Sequence, residues 1–395
     1  MDNLNSLNLE KRLELEAAYL KSSNEFVLEY LGIEPQALRY IKSSLKRSHY
    51  RAAISWLIKY QPQPNVSNLE KVKGYLETFH HLFEISAWNQ ALKVVTINIS
   101  AYENNQLHNQ LFNWGYYREL AAFYQGFLDY LENLEPYYKT ILLYGMGKVY
   151  YALGYLTKAI NCYQQALELA RTLPDNQQEG AILNGLGLVY FSLGNYTQAI
   201  NCYEQDLAIA WKNDNRQGQA AALNNLGLVF CKQEKFCKAI KYQKESLRIS
   251  RQSPDHSAEG RALGSLAQAY TGCKKYDRAI EYHQQHLTIM RRIENRAGEA
   301  EALCNLGITI AKVKEVEFNQ ALKIEDYSEA LKYLYQALKI SREIGIRLTE
   351  ANVMLNLTVI YQKLGERNLV FKYCQQALSI TGELGIPLES LKHLG

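Results

Sequence analysis

Apolar residues in the stretch 184–207 follow two helical periods on either side of a short turn. Leu186, Gly187 and Tyr190 lie on one face of a first predicted helix, and Gly194 marks the turn that follows. The second helix carries its apolar positions at spacings typical of one helix face: Tyr196, Ala199, Ile200, Tyr203 and Leu207. The pattern predicts a helical hairpin. Because two amphipathic helices cannot bury their apolar faces alone, such a hairpin needs neighbours of its own kind.

The hairpin recurs along the chain with a period of forty residues. A small residue marks the same place on each first helix, at Gly147, Gly187, Gly227, Ala267 and Gly307. The second helices carry an alanine at an equally fixed place, at Ala159, Ala199, Ala239, Ala279 and Ala330. Closely approaching helices require small residues at their contacts. The sequence therefore predicts a stacked array of helical hairpins.

The unit resembles the tetratricopeptide repeat (TPR), which has Leu-Gly, an aromatic residue, Ala and a second aromatic residue at set offsets. The corresponding residues here are Leu186-Gly187, Tyr190, Ala199 and Tyr203, and Asp206 stands in place of a final Ala. Forty-residue versions with a leading segment such as NRQGQAAALNNLG are similar to those of kinesin light chains and of the Leu-Gly-Asn-repeat adaptors. The resemblance implies an all-α fold, a right-handed TPR solenoid of antiparallel helical hairpins, which binds extended peptides.

The first third of the chain carries weaker versions of the same pattern. We predict a polar segment followed by a helix over residues 1–34, and three degenerate hairpins over residues 35–135. This region is also similar to the one that precedes the TPR sensor arms of bacterial signalling ATPases. The ATPase motif is missing, because Leu142 and Val149 stand where a phosphate loop would need Gly and Ser or Thr. This second resemblance implies a sensor arm alone.

The regular array is predicted as six repeats over residues 136–385, with residues 386–395 forming a cap or a truncated helix. The step from Gly307 to Thr358 is 51 residues, so that eleven extra residues lie near 312–326. An insertion of about three helical turns could lengthen the first helix, or both helices, without turning their faces out of register. It is either a tolerated surface extension or an element that closes the groove, because insertions in such arrays map to one face.

Composition and charge favour a soluble protein. A net charge of +4 over 395 residues does not by itself predict binding to nucleic acid or to a membrane. The seven cysteines lie mostly inside predicted helices, which is typical of small buried side chains. The sequence lacks a signal-peptide pattern and a bilayer-spanning apolar run. It therefore predicts a cytoplasmic location, no membrane insertion and no cofactor.

The candidate binding surface is the stripe of each first helix opposite its packing face. An asparagine side chain can donate to and accept from one peptide unit, so that a row of them can hold an extended backbone. Lysines in the same stripe add a preference for acidic residues. The predicted groove residues are Asn184, Asn224, Asn225, Lys232, Arg261, Gln268, Asn305, Lys312, Asn352, Asn356 and Lys363.

Two interpretations of these asparagines remain open. By resemblance to peptide-binding TPR domains, Asn225, Asn305 and Asn356 are the side chains that grip the ligand. Alternatively, asparagines such as Asn184, Asn224 and Asn305 only cap or bridge neighbouring helices.

A second candidate surface lies near the N terminus, where basic residues occur between Pro35 and Pro64 without an acidic residue. They are Arg39, Lys42, Lys46, Arg47, Arg51 and Lys59. Interleaved aromatic residues would suit RNA or an acidic protein. The competing interpretation is a solvated face whose aromatic residues belong to the core.

No catalytic motif emerges from the sequence. His283 and His286 have the spacing of metal ligands on a helix, but their places in the repeat predict packing, and no metal site is predicted. The predicted function is protein–protein interaction, in which the groove holds an extended, acidic-leaning segment of a protein or peptide partner. The alternatives are a peptide-sensing regulator of the bacterial quorum-sensing type and, third, RNA binding through the basic residues near the N terminus.

Overall fold

The computed structural model describes residues 26–63, 66–99, 106–114, 116–127, 130, 134–173, 177–253, 255–317 and 323–384. The regular secondary structure of these residues is helical, which confirms the predicted all-α class. The chain divides into two compact units, Met1–Lys139 and Thr140–Gly395.

Unit 1 consists of helices of 4 to 16 residues, and two of its alanines lie in its core. Its elements are a 3-10 helix Pro35–Tyr40, α1 Ser44–Lys59, α2 Asn68–Lys71, α3 Lys73–Glu84, α4 Trp88–Val95, α5 Leu107–Asn113 and α6 Tyr117–Gln125. Ala53 of α1 and Ala91 of α4 are fully buried. Phe79 of α3 stacks on Phe123 of α6, with ring centroids 3.5 Å apart. Aromatic packing thus holds this unit together where its repeat pattern is weakest.

Six consecutive helical hairpins follow within the described residues, and all of them except the first turn of the first helix lie in unit 2. Their helices are α7 Pro136–Ala152, α8 Leu156–Thr172, α9 Gln177–Ser192, α10 Tyr196–Lys212, α11 Arg216–Lys232, α12 Phe236–Ser250, α13 His256–Gly272, α14 Tyr276–Arg292, α15 Arg296–Glu317, α16 Ser328–Glu343, α17 Arg347–Lys363 and α18 Arg367–Leu384. The odd-numbered helices are the first helices of the hairpins. Each hairpin packs on the next, as in a helical solenoid.

The recurring small residue of the first helix lies under a large side chain of the second helix. A Cβ atom added at Gly187 would lie only 2.4 Å from Cε1 of Tyr203, whose side chain is fully buried. The same contact occurs between Gly147 and Tyr163, at 2.6 Å. The two helices of a hairpin can therefore approach this closely only where the first helix lacks a side chain.

Consecutive hairpins are joined by a repeated ion pair that the sequence analysis did not predict. An arginine at the C-terminal end of a second helix donates to a glutamate in the first turn of the next first helix. The pairs are Arg171–Glu179 at 2.8 Å, Arg251–Glu259 at 3.0 Å, Arg291–Glu299 at 2.9 Å and Arg342–Glu350 at 2.9 Å. The constant spacing of eight residues between the arginine and the glutamate could have indicated these pairs from the sequence. Trp211 and Gln219 occupy the same places at the junction of hairpins 2 and 3.

The insertion lengthens the first helix of hairpin 5. The α15 helix has 22 residues, against 17 in α11, α13 and α17. A 3-10 helix Ile324–Tyr327 then leads into α16, which is no longer than the other second helices. The segment 318–322 lies outside the described residues.

Candidate functional site

One face of each first helix of unit 2 is buried, and the opposite face reaches solvent. In α11, Leu226, Gly227 and Val229 are buried, whereas the positions at 221, 225, 228 and 232 are not. We call these four positions, with position 224 and their equivalents in the other hairpins, the first-helix stripe. None of the eleven predicted groove residues is buried. An array of such stripes forms a continuous surface in a solenoid.

Some asparagines of the stripe already have partners within the protein. The Nδ2 group of Asn184 donates to Oδ2 of Asp206 at 3.3 Å. Asn356 donates to the backbone oxygen of Asn352 at 3.0 Å and to Sγ of Cys304 at 3.4 Å. The bridging interpretation therefore describes Asn184 and Asn356, whose amide groups link helices.

Other asparagines keep their amide groups available. Among the described residues, the side chains of Asn225 and Asn305 have no hydrogen-bond partner, and both are half-buried. The Oδ1 atom of Asn224 is buried, also without a partner among those residues. Because an unpaired polar atom of this kind loses the free energy of a hydrogen bond, these positions favour a ligand that supplies donors and acceptors.

The cations of the stripe differ in their surroundings. Lys232 and Lys312 are exposed, and so is the neutral Gln268. Arg261 donates to Oγ of Ser257 at 3.0 Å and lies 3.9 Å from Oδ2 of Asp255. Lys363 forms an ion pair of 2.5 Å with Glu315 in the added turn of α15.

Glu301 brings a negative charge into the same stripe, at the position equivalent to Arg261 in the preceding hairpin. The residue is exposed, but the protein atoms around its carboxylate displace part of the water that would hydrate the charge. This desolvation raises the pKa of Glu301, and Arg261 acts in the opposite direction. The stripe is therefore basic overall without being uniformly positive.

In unit 1, the basic residues of the second candidate surface are mostly exposed. Arg39, Lys42, Lys46, Arg51 and Lys59 lie open to solvent. The half-buried Arg47 is different, because its guanidinium donates to the backbone oxygens of Ile41 and Lys42.

The aromatic residues of this surface are largely occupied by contacts within unit 1. The Tyr50 hydroxyl donates to Oε1 of Gln90 at 2.8 Å, and the Tyr60 hydroxyl donates to the backbone oxygen of Glu70 at 2.7 Å. Tyr40 is the exception, since 72% of it is exposed. A row of open rings on which bases could stack is therefore not formed by the described residues.

An aspartate and two histidines are buried in the second helices of unit 2. Burial raises the pKa of Asp206 to about 6, although its hydrogen bond from Asn184 opposes the shift. Burial lowers the pKa of His283 to about 3 and that of His286 to about 4. Both imidazoles are therefore neutral at pH 7 and pack as apolar groups do.

Within the described residues, no group of three or more His, Cys, Asp and Glu side chains is arranged to hold a metal ion. None of the helices in this part of the chain is long and apolar enough to cross a membrane.

Comparison with known families decides the nature of the repeats. Residues 139–210 and 218–292 match the model of the tetratricopeptide repeat. The first four hairpins are tetratricopeptide repeats. The matched residues cover these hairpins, and the two hairpins that follow, α15 to α18, continue the same helix order. No curated protein sequence matches the chain.

Several solved structures have a similar fold. Aspartyl phosphate phosphatase F from Bacillus subtilis has a TM-score of 0.53 and 14% identity, covering 94% of this chain and 95% of that one. NprR in complex with its cognate peptide NprX has a TM-score of 0.52 and 14% identity, covering 80% and 89%. The Rap conjugation gene regulator of plasmid pLS20, in complex with the Phr* peptide, has a TM-score of 0.51 and 12% identity, covering 92% and 94%. At such identities the similarity is one of fold.

Proposed function

We propose that this TPR protein is a non-enzymatic interaction module that binds an extended, acidic-leaning segment of a protein or peptide partner along the first-helix stripe. The observation that carries the proposal is the pair of unpartnered amides at Asn225 and Asn305, on a stripe that also presents Lys232 and Lys312. Amides satisfy a peptide backbone whatever its side chains are, and the lysines select for carboxylates.

The fold of the neighbours supports a protein or peptide as the partner. NprR and the pLS20 regulator were each solved with a peptide bound. Because their identities to this chain are low, they support the class of ligand and leave its sequence open.

An array of immobilised twelve-residue peptides, graded in net charge from −6 to +6 at constant apolar content, tests the proposal. We expect the wild-type protein to bind the acidic peptides most tightly. If each amide contributes about 1 kcal/mol, the double variant Asn225→Ala/Asn305→Ala should bind about thirtyfold more weakly.

Asn201→Ala is the matched control, because Asn201 is exposed on a second helix and accepts from Gln205 at 3.0 Å. It should leave the affinities unchanged. Circular dichroism should show the same helix content in all variants. Equal binding by the wild type and the double variant would refute the stripe as the binding surface.

A second candidate is a regulator that changes conformation when a small peptide binds. The similarity over most of the chain to two proteins solved with a peptide, one of them a conjugation gene regulator, favours it. A decrease in the radius of gyration on adding an array-selected peptide, measured by small-angle X-ray scattering, is expected for a regulator of this kind. An unchanged radius at saturating peptide would leave a static adaptor as the better description.

A further inference from the structure

The added turn of α15 prolongs the first-helix stripe beyond the length it has in the other hairpins. Lys312 occupies the last position of the stripe in α15, at the place of Lys232 in α11. Glu315 lies three residues further along the same helix, and residues this far apart share a helix face. The insertion therefore places a carboxylate at the end of a stripe whose other hairpins end in lysine or a neutral residue.

Glu315 contacts the neighbouring TPR hairpin. Its Oε1 atom lies 2.5 Å from Nζ of Lys363, the last stripe residue of α17. The carboxylate also lies beside the buried Tyr327, and burial, followed by the charge of Glu315, raises the pKa of this tyrosine to about 12. A carboxylate of the inserted segment thus neutralises Lys363.

We propose that Lys363 is a subsite for an acidic side chain of the bound peptide, and that Glu315 occupies this subsite until the peptide displaces it. This inference rests on the proposed function of the first-helix stripe. A peptide carboxylate and the Glu315 carboxylate would present the same chemistry to the same ammonium group.

The exposure of the pair makes such an exchange feasible. The side chain of Lys363 is 45% exposed and that of Glu315 is 30% exposed. Ion pairs that remain in contact with water contribute little to stability, so a ligand that brings its own carboxylate can replace the internal one at small cost. The subsite would therefore select ligands that place an acidic residue beside hairpin 6.

The peptide array distinguishes this inference from a merely structural ion pair. Glu315→Gln should bind the acidic peptides about three- to fivefold more tightly than the wild type does and the neutral peptides equally well. The double variant Glu315→Gln/Lys363→Met should show no such gain in affinity for acidic peptides, because it lacks the ammonium group. Glu281→Gln, which removes one exposed negative charge from a second helix, should bind as the wild type does.

A second measurement reports on the ion pair without any peptide. Brief acetylation with acetic anhydride, followed by mass spectrometry, should label Lys363 at least twofold faster in Glu315→Gln than in the wild type, relative to the exposed Lys244. An unchanged rate would refute the ion pair, and the inference with it.

The two experiments separate the possible failures. If acidic peptides bind but Glu315→Gln gives no gain, or a gain that survives Lys363→Met, the subsite is wrong and the proposed function stands. If no peptide binds either protein, the proposed function fails, and the inference fails with it.

Discussion

At the level of single residues, the contact between Gly187 and Tyr203 explains why this position of the repeat must be small. The ring lies directly on the backbone of α9, in the space that a side chain would occupy. Sequence periodicity already marked position 187 as small, and the structure supplies the reason.

Gly187→Ala should destabilise unit 2. Alanine gains about 1 kcal/mol of helix propensity over glycine, but its Cβ would lie 2.4 Å from the Tyr203 ring, closer than carbon atoms pack. Overcrowding of a packed core costs about 1–3 kcal/mol, so we expect a net loss in the free energy of unfolding by urea. Gly382→Ala is the control, because nothing lies within 4 Å of its added Cβ, and it should be neutral or stabilising.

Asp206 should make stability depend on pH in an unusual direction. Its pKa is about 6 in the folded protein against 3.8 for the free side chain, so the folded state holds its proton more tightly. Above about pH 6, the buried carboxylate lowers the free energy of unfolding by its full amount. This loss of stability becomes smaller as the pH falls towards 4. Asp206→Asn should therefore raise the free energy of unfolding by about 2–3 kcal/mol at pH 7.5.

The gain from Asp206→Asn should fall to about 1 kcal/mol at pH 4.5, where the wild-type carboxyl is protonated in the folded state but mostly ionised in the unfolded chain. Urea titrations of both proteins at the two pH values are the measurement. A gain of the same size at both would show that the carboxylate is not the cause.

Among the elements, the junctions between hairpins depend on polar contacts as well as on apolar packing. Glu350 is buried and accepts from Arg342 at 2.9 Å and from Arg347 at 2.8 Å. Arg347 in turn donates to Glu383 at the end of the same hairpin, at 2.8 Å. The pairs therefore tie the first turn of α17 both to the preceding hairpin and to α18.

Glu350→Gln should loosen the junction between hairpins 5 and 6. Hydrogen bonds to charged groups contribute about 1.5–3 kcal/mol, and glutamine cannot keep two guanidinium groups satisfied. We expect a loss of this order in the urea unfolding of unit 2. Glu245→Gln breaks an exposed pair with Arg248 and should barely move the midpoint.

Over the whole repeat unit, each hairpin contacts mainly its neighbours, so that a weak hairpin in the middle is not compensated from elsewhere. His283 and His286 place such a weakness in hairpin 4. Their pKa values are lower in the folded protein than the usual 6.5. Their contribution to the free energy of unfolding is therefore fully present above pH 6.5. It is lost as the pH falls towards 4 and 3, because the unfolded chain takes up protons before the folded protein does.

His283→Leu should protect the array against acid. Leucine fits this place because Leu334 occupies it in hairpin 5, and it takes up no proton. Between pH 7 and pH 5 the wild type should lose about 2 kcal/mol more than the variant does, measured by circular dichroism in urea. Asp206 contributes in the opposite direction but equally in both proteins, so the difference between them isolates His283.

The sequence by itself determined the hairpin, its period and the residues that pack inside it. Helical spacing and the fixed small residue are local patterns, and in a linear array most contacts are between residues close in the chain. The TPR class followed from positions such as Gly187 and Tyr203, and the constant spacing of Arg342 and Glu350 also lay within reach of sequence reasoning.

Only the tertiary structure decided which polar groups satisfy one another. Asn184 and Asn225 belong to the same predicted set, yet one is bound to Asp206 and the other has no partner among the described residues. Glu315 meets Lys363 across 48 residues because the insertion prolongs one helix alongside the next hairpin. A hydrogen bond requires atoms within about 3 Å, and repeat spacing locates side chains only to a helix face. The face of the candidate groove therefore came from the sequence, whereas its free and occupied positions came from the fold.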